Sequence, residues 1–331
     1  MIAVTEEFIS GLKDRVLLGE EISFDEALAL IYIDEEGLFN TLVRAAREIT
    51  LFYHSNQAHL CSLINAKSYL CGEDCAFCAQ SVRFDTGVRR YELLSSDAIL
   101  EAAKQNEAQG IRNFCIVTSG GSLNQEEFEH ILEVVRRLKR ETKLNIDGSL
   151  GFLTPERTQK LKEAGMRRFN DNLQTSREFY SKIVSTHTYD TRLATLDYLR
   201  EGGMDLCSGG ILGMGESRED RVKLAFELKK YQPECVPMNV LNPRPGTPLE
   251  NTPKIDSKEV VKTIAVYRFI LPKSNIKLAG GRETGLGEDQ LLALKAGANG
   301  MITGGYLTTG GNSFEMDKAL LKEAGLEVRE D

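Results

Sequence analysis

Residues 61–78 read CSLINAKSYLCGEDCAFC: a β-forming run over 61–66, then a loop that sets Cys71, Cys75 and Cys78 in a CxxxCxxC spacing. A strand that delivers a chemically active loop at its C-terminal end is the building unit of parallel α/β folds. Working outward, β-type runs recur at 113–118, 144–150, 167–170, 205–211, 236–241, 276–279 and 299–303. Helical patterns follow them, clearest in SDAILEAAKQNEAQ, QEEFEHILEVVRRLKRE and SREDRVKLAFELKKY, and glycines close several of these helices just before the next strand. Eight alternations over about 270 residues predict an α/β fold of the (β/α)8 TIM-barrel type rather than a doubly wound sheet. Ahead of it, Ser23 and Glu26 form a capping-box pattern that opens a helical run. The expected organisation is a helical extension over 1–55 and one barrel domain over 56–331.

Composition narrows the function. The 331 residues carry 41 Lys+Arg against 49 Asp+Glu, a net charge of -8 without long like-charge blocks. Nucleic acid and anionic membrane are poor partners for such a surface. The start MIAVTEEFIS has no basic segment followed by an apolar run, and no stretch of 18 apolar residues occurs, which predicts a soluble cytoplasmic protein. In a reducing compartment, seven cysteines point to thiolate chemistry instead of disulfides.

Three thiolates on a short loop can each hold one iron of a cubane, which leaves a fourth iron open for catalysis. Phe77 can shield such a cluster from water. The residues alone leave open a structural zinc site with His54 or His59 as fourth ligand. Strand ends supply the other candidates, since barrel sites gather there. Ser119 and Gly120 in TSGGS can bring backbone close to a ligand. Asn170 and Asn172 share one face and suit a neutral polar ligand such as a cyclic urea or a ribose, with loop capping as the alternative. The GxIxGxxE run from Gly209 to Glu216 contains Ile211. Asn239 sits inside the sixth strand, and Arg282 in AGGRE is either a site cation or a surface ion pair.

The CxxxCxxC loop on a barrel resembles the radical S-adenosylmethionine (SAM) superfamily. The ordered set CGEDCAFCAQS, NDNLQTSREFY, TYDTRLATL, LCSGGILGMGE, NVLNPRPGTPLE, KTIAVYRFILP, AGGRE and AGANGMITGGYLTT resembles the biotin synthase family within it. The resemblance implies a sulfurtransferase that inserts sulfur into dethiobiotin through a deoxyadenosyl radical. It implies a 4Fe-4S cluster on Cys71, Cys75 and Cys78. SAM contacts are expected at Asn172, Arg192 and Ile211, to which the strand-end reading adds Phe77, Ser119 and Gly120. Asn170 and Asn239 would meet the ureido ring of dethiobiotin, and Thr308 and Thr309 its carboxylate end. Flavodoxin or ferredoxin would supply electrons, and the chain would form a homodimer. Asp171 and Gln174 depart from the His and Asp common in the family.

The family's sulfur source is an auxiliary 2Fe-2S cluster held by three strand cysteines and an arginine. By the resemblance, Cys115, Cys207 and Arg282 match, which places Arg282 among the metal ligands and catalytic groups, whereas Asp147 replaces the third cysteine. A carboxylate is a poor substitute for a thiolate in such a site. Cys61 and Cys235 fall where the family carries small hydroxyl residues. The expectation is therefore an auxiliary cluster of four-iron type on Cys61, Cys115, Cys207 and Cys235, with a 2Fe-2S cluster as the alternative. The competing reading makes Cys61 and Cys235 buried small hydrophobes. Two other functions compete: a related radical SAM barrel enzyme that rearranges an amino acid or matures a metallocofactor, and a non-catalytic metal-binding protein.

Overall fold

The computed structural model describes residues 2–329, and Met1, Glu330 and Asp331 lie outside that range. The predicted capping box forms: Ser23 Oγ accepts the Glu26 N–H at 3.2 Å while the Glu26 carboxylate accepts the Ser23 N–H at 2.7 Å. It opens α2 (Phe24–Ile31), between α1 (Glu6–Leu17) and α3 (Glu36–His54). The apolar faces of these helices, among them Ile9, Leu30 and Leu42, are fully buried and join the common core.

Among the described residues eight strand positions close into a parallel barrel. They are β1 (Gln57–Lys67), β2 (Asn113–Thr118), β3 (Asn145–Ser149), β4 (Arg168–Asn170), the pair β5 (Asp205–Cys207) and β6 (Gly210–Leu212), β7 (Cys235–Val240), β8 (Asn275–Leu278) and β9 (Gly300–Ile302). Each pairs with its neighbour, and β9 returns to β1. The chain is thus a (β/α)8 TIM barrel, with α4 (Ser96–Ala108), α5 (Gln125–Glu141), α6 (Pro155–Ala164), α7 (Arg177–Tyr180), α8 (Tyr189–Glu201), α9 (Arg218–Tyr231), α10 (Ser257–Ile270), α11 (Arg282–Gly285), α12 (Gln290–Lys295) and α13 (Phe314–Glu323) between and after the strands.

Two strand boundaries differ from the sequence expectation for physical reasons. The fifth strand, expected over 205–211, breaks at Ser208 and Gly209, where a Cβ on Gly209 would lie 2.1 Å from the Pro237 carbonyl oxygen. Only glycine admits that approach, and the ladder pauses there. The first strand begins at Gln57 because β10 (Glu327–Val328) pairs with its opening residues.

The outward strand residues form an ordinary apolar core: Phe114, Ile116, Ile146 and Phe169 are fully buried. The inward positions are unusual. Barrel interiors are commonly packed with Val, Ile and Leu, yet here Cys61, Cys115, Asp147, Asn170 and Lys277 line a cavity.

Arg268, at 0% exposure, ties α10 to the turns on either side. Its guanidinium donates to the carbonyls of Gly297 at 2.7 Å, Pro272 at 2.9 Å and Ser274 at 2.8 Å, and to Asn299 Oδ1 at 2.8 Å. Burial lowers its pKa to about 9. Arg268→Met would strip the Ser274 carbonyl of this donor and leave Gly297, Pro272 and Asn299 with only Thr50 at 3.3 Å, His54 at 3.1 Å and the Ile276 N–H at 3.0 Å, at about 1–3 kcal/mol for each acceptor left unmet. We expect a loss of about 3 kcal/mol, read as a lower urea midpoint at unchanged slope.

Candidate active site

The cysteine loop leaves β1 through two successive non-glycine residues in left-handed backbone, Tyr69 (φ 64°) and Leu70 (φ 59°). Such conformations cost energy and persist only where surroundings fix them. Here they are fixed: the Tyr69 N–H donates to Gln80 Oε1 at 3.1 Å, Ser119 Oγ donates to the Tyr69 carbonyl, and the Tyr69 hydroxyl donates to the Phe84 carbonyl at 3.3 Å. Arg90 stacks 4.0 Å from the centre of the Tyr69 ring.

Beyond this turn the loop is clamped onto residues 183–187. The Asp74 carboxylate accepts the N–H groups of Ser185 at 2.9 Å and Thr186 at 3.1 Å, together with both of their hydroxyls. Burial favours the protonated form of Asp74, but these donors override it and hold the carboxyl well below its usual range. Glu73 pairs with His187 at 2.8 Å, and the Ala76 N–H donates to the Ile183 carbonyl at 2.8 Å. Cys75 and Cys78 are thereby held inward, and burial raises their thiols to about 12 and about 11.

Thiols so shielded are poor free nucleophiles at neutral pH. With Cys71 they put three soft donors on one loop, which suits an iron–sulfur cluster, whose binding displaces their protons. Among the described residues no three His, Cys, Asp or Glu side chains form a group that could hold a single metal ion. The two histidines considered for zinc are engaged elsewhere: Arg268 donates to His54 Nε2 at 3.0 Å and Arg168 to His59 Nε2 at 3.1 Å.

Beside the loop lies a cavity of about 360 Å³. Phe77, Asn172 and Ile211 line it, as do Asn170, Asn239, Thr308 and Thr309. Asn172 Oδ1 accepts the Gly209 N–H at 3.0 Å, and Asn239 is fixed by the Gly280 N–H at 2.9 Å and the Gly210 carbonyl at 3.1 Å. Asn170 Oδ1 is buried without a donor, which marks it as an acceptor for a ligand N–H.

Three predicted residues stand outside this wall. Ser119 anchors Tyr69, and the neighbouring Gly120, at φ 113°, supplies a turn. Arg192 is bound to Asp171, to the Tyr180 hydroxyl at 2.7 Å and over the Phe152 ring. Asp171, the departure noted in the sequence, is thus the buried counter-charge of Arg192.

Arg282 requires a correction. The structure does not bring it to the strand cysteines: its guanidinium is bidentate to Asp317 at 2.7 Å, donates to the Tyr306 hydroxyl at 2.9 Å and to Gln290, and is fully buried. The cations that do reach the cysteines are Lys277 and Arg168, which the sequence reading missed. The signal was a charged residue at an inward strand position, Lys277 in NIKL and Arg168 in RRFN.

The floor of the cavity follows from strand register. Cys115 lies beside Asp147, Asp147 beside Arg168, and Cys207 beside Cys235. Cys61, Cys115, Asp147, Cys207 and Lys277 line the cavity, and Cys235 is fully buried within reach of Cys207 and Lys277. Burial raises Cys61 to about 12 and lifts Cys115 well above its ordinary range, with Cys61 and Asp147 adding to the latter. Cys207 is raised first by its hydrogen bond to Cys235 and then by burial. Burial also opposes ionising Cys235, yet the bond from Cys207, with Lys277 and Arg168, brings that thiol well below its ordinary range. Lys277, which burial alone would neutralise, is held charged by Cys235, Cys61 and Cys207.

Comparison with known proteins agrees with this geometry. Residues 67–228 match the radical SAM superfamily and residues 237–327 the Biotin and Thiamin Synthesis associated domain. The chain is 44% identical over 324 residues to the biotin synthase of Acetivibrio thermocellus, covering 97% of this chain and 100% of that protein. It is 41% identical over 325 residues to that of Clostridium tetani, covering 98% and 99%. Among solved structures, methylornithine synthase superimposes with a TM-score of 0.85 at 22% identity, over 96% of this chain and 97% of that one. A maturase of the [FeFe]-hydrogenase gives 0.85 at 17% identity, over 99% and 76%.

Asp74→Ala removes the clamp between the cysteine loop and residues 183–187 while leaving every thiol in place. Losing several charge-assisted hydrogen bonds should speed chelator-driven iron loss from the loop by about tenfold or more. Iron release followed by absorbance against the wild-type protein reads this.

Proposed function

Since the chain belongs to the biotin synthase family within the radical SAM superfamily, we propose that it inserts sulfur into dethiobiotin, drawing the sulfur from an auxiliary cluster in the barrel floor. The observation that carries this reading is a single cavity that runs from Phe77, beside the cysteine loop, down to Cys61, Cys115 and Cys207. One substrate can therefore face a hydrogen-abstracting centre and a sulfur source at once. When bound, the loop cluster with SAM supplies hydrogen-atom abstraction from unactivated carbon, and the floor cluster supplies sulfide.

The chain's own residues bind, orient and exclude water. Phe77 covers the loop side of the cavity. Asn172 and Ile211 are set to position SAM, with Arg192 behind them holding Asp171. The free acceptor of Asn170 and the fixed amide of Asn239 suit the two N–H groups and the carbonyl of a ureido ring. Thr308 and Thr309 offer hydroxyls to the carboxylate end. On the floor, Lys277 and Arg168 work against the burial that keeps Cys61, Cys115 and Cys207 protonated and draw down Cys235, which supports a four-iron cluster on those four residues. Asp147 serves there as a counter-charge to Arg168, at 3.4 Å.

Flavodoxin or ferredoxin as electron donor, a cytoplasmic location and the division into 1–55 and 56–331 belong to the same reading. No helix among the described residues is long and apolar enough to cross a membrane. A homodimer is supported by Leu51 and Phe52 on α3, exposed at 40% and 62%, apolar surface that a second copy would cover. Likeness to the amino-acid and maturase enzymes rests on fold alone, whereas the biotin synthases match in sequence along the whole chain.

Anaerobic reconstitution should give about eight irons per chain, against about six with a 2Fe-2S auxiliary cluster and about four without an auxiliary site. The Cys61→Ser/Cys235→Ser double variant should lose iron from the floor and biotin formation while still cleaving SAM reductively. An unchanged iron count would remove both residues from the site. Reductive cleavage by the wild-type protein with dethiobiotin present and no biotin formed would overturn the sulfur-insertion assignment.

A further inference from the structure

The side-chain period of a strand is two residues, so the inward positions just before the floor layer form a layer of their own. His59, Asn113, Asn145, Asp205 and Asn275 precede Cys61, Cys115, Asp147, Cys207 and Lys277 in this way, and they line a second cavity of about 180 Å³ at the N-terminal end of the strands. Among the described residues its wall carries Arg112, Arg167 and Arg168 against Asp205 and Glu234. Both carboxylates are already engaged: Asp205 by Arg167 at 3.1 Å and Arg168 at 3.8 Å, Glu234 by Arg200 at 3.0 Å and the Leu206 N–H at 2.6 Å.

Two buried donors in this wall lack acceptors. Arg168 contacts His59 Nε2 at 3.1 Å, and because a guanidinium only donates, Nε2 is the acceptor and the imidazole proton sits on Nδ1. That Nδ1–H and the Arg168 Nε–H are both buried without a partner of adequate geometry, on side chains exposed by 7% and 3%. Native interiors rarely leave such donors unsatisfied without a ligand, ion or water to meet them.

We propose that this cavity binds a small monovalent inorganic anion and that, on the sulfur-insertion reading, its working ligand is hydrosulfide, admitted to the thiol layer from the N-terminal end of the barrel. Position favours this sulfur anion over others of similar size. The cavity lies immediately beneath the residues assigned as the sulfur source, while the opposite approach to that layer is the cavity assigned to dethiobiotin and SAM. An arginine-rich mouth concentrates anions there by field focusing.

The probes are bromide and isotopically labelled hydrosulfide. Holoprotein crystals soaked in sodium bromide should show an anomalous peak within hydrogen-bond distance of Arg168 Nε and His59 Nδ1. In solution, uptake of labelled hydrosulfide into the acid-labile sulfide of turned-over enzyme should slow at least about tenfold in Arg112→Gln/Arg167→Gln, with the first-turnover biotin yield unchanged. In the wild-type protein, bromide should slow the same uptake relative to acetate at equal ionic strength, a readout that needs no variant. Absence of the bromide peak, or label uptake indifferent to both the variant and bromide, overturns the proposal. A protein that binds bromide in this cavity and takes up label but forms no biotin keeps the anion site and overturns the sulfur-insertion reading instead.

Discussion

Arg168 and Lys277 are buried at the floor of the barrel, where Arg168 meets Asp147 at 3.4 Å and Asp205 at 3.8 Å. Buried charge is tolerated only where opposite charge and hydrogen bonds meet it, and Lys277 is met chiefly by Cys235, Cys61 and Cys207. The four thiols around it are the remaining source of negative charge. That constraint explains why the Cys235 thiol is drawn down against the effect of burial and why Lys277 is held toward its charged form at 2% exposure. It also explains why the barrel keeps a cavity where most barrels are packed with branched aliphatic residues.

Rigidity at the other end of the cavity has a different origin. The cysteine loop is ordered by hydrogen bonds, both to its backbone and from its acidic side chains to residues 185–187. Tyr69 is held in a left-handed conformation by Gln80 and Ser119, and Asp74 grips the 185–186 segment. Ser119 therefore acts on the loop from its own strand end, through Tyr69, although it does not face the cavity. Loop and floor are fixed independently, one by hydrogen bonds from neighbouring loops and the other by strand register, so the spacing between them is a property of the barrel.

Much of this was legible in the residues. Eight β-type runs alternating with helical ones defined the barrel, and CxxxCxxC after the first run located the loop. Cys61, Cys115, Cys207 and Cys235 drew attention as a set, and Asp147 as a departure. The positions that escaped depend on what only three dimensions supply. The cation of the floor was sought at Arg282, in a glycine-rich strand end, but its side chain turns outward to Asp317 while Lys277, earlier in the same stretch, points inward. Arg282 opens α11, past the end of β8 at Leu278, so the alternation of the strand no longer sets its direction. The break at Gly209 reflects the approach of a neighbouring strand, and the clamp at Asp74 joins residues more than a hundred positions apart in sequence; neither leaves a local pattern.

The central claim is that the buried cations and thiols of the floor form a cluster site distinct from the loop. Anomalous diffraction at the iron edge, on anaerobic crystals of reconstituted protein, tests it directly. The account predicts two separate groups of iron peaks, one at Cys71, Cys75 and Cys78 and the other enclosed by Cys61, Cys115, Cys207 and Cys235 beside Lys277. Iron confined to the loop, or floor iron ligated by Arg282 instead of Cys61 and Cys235, would contradict it.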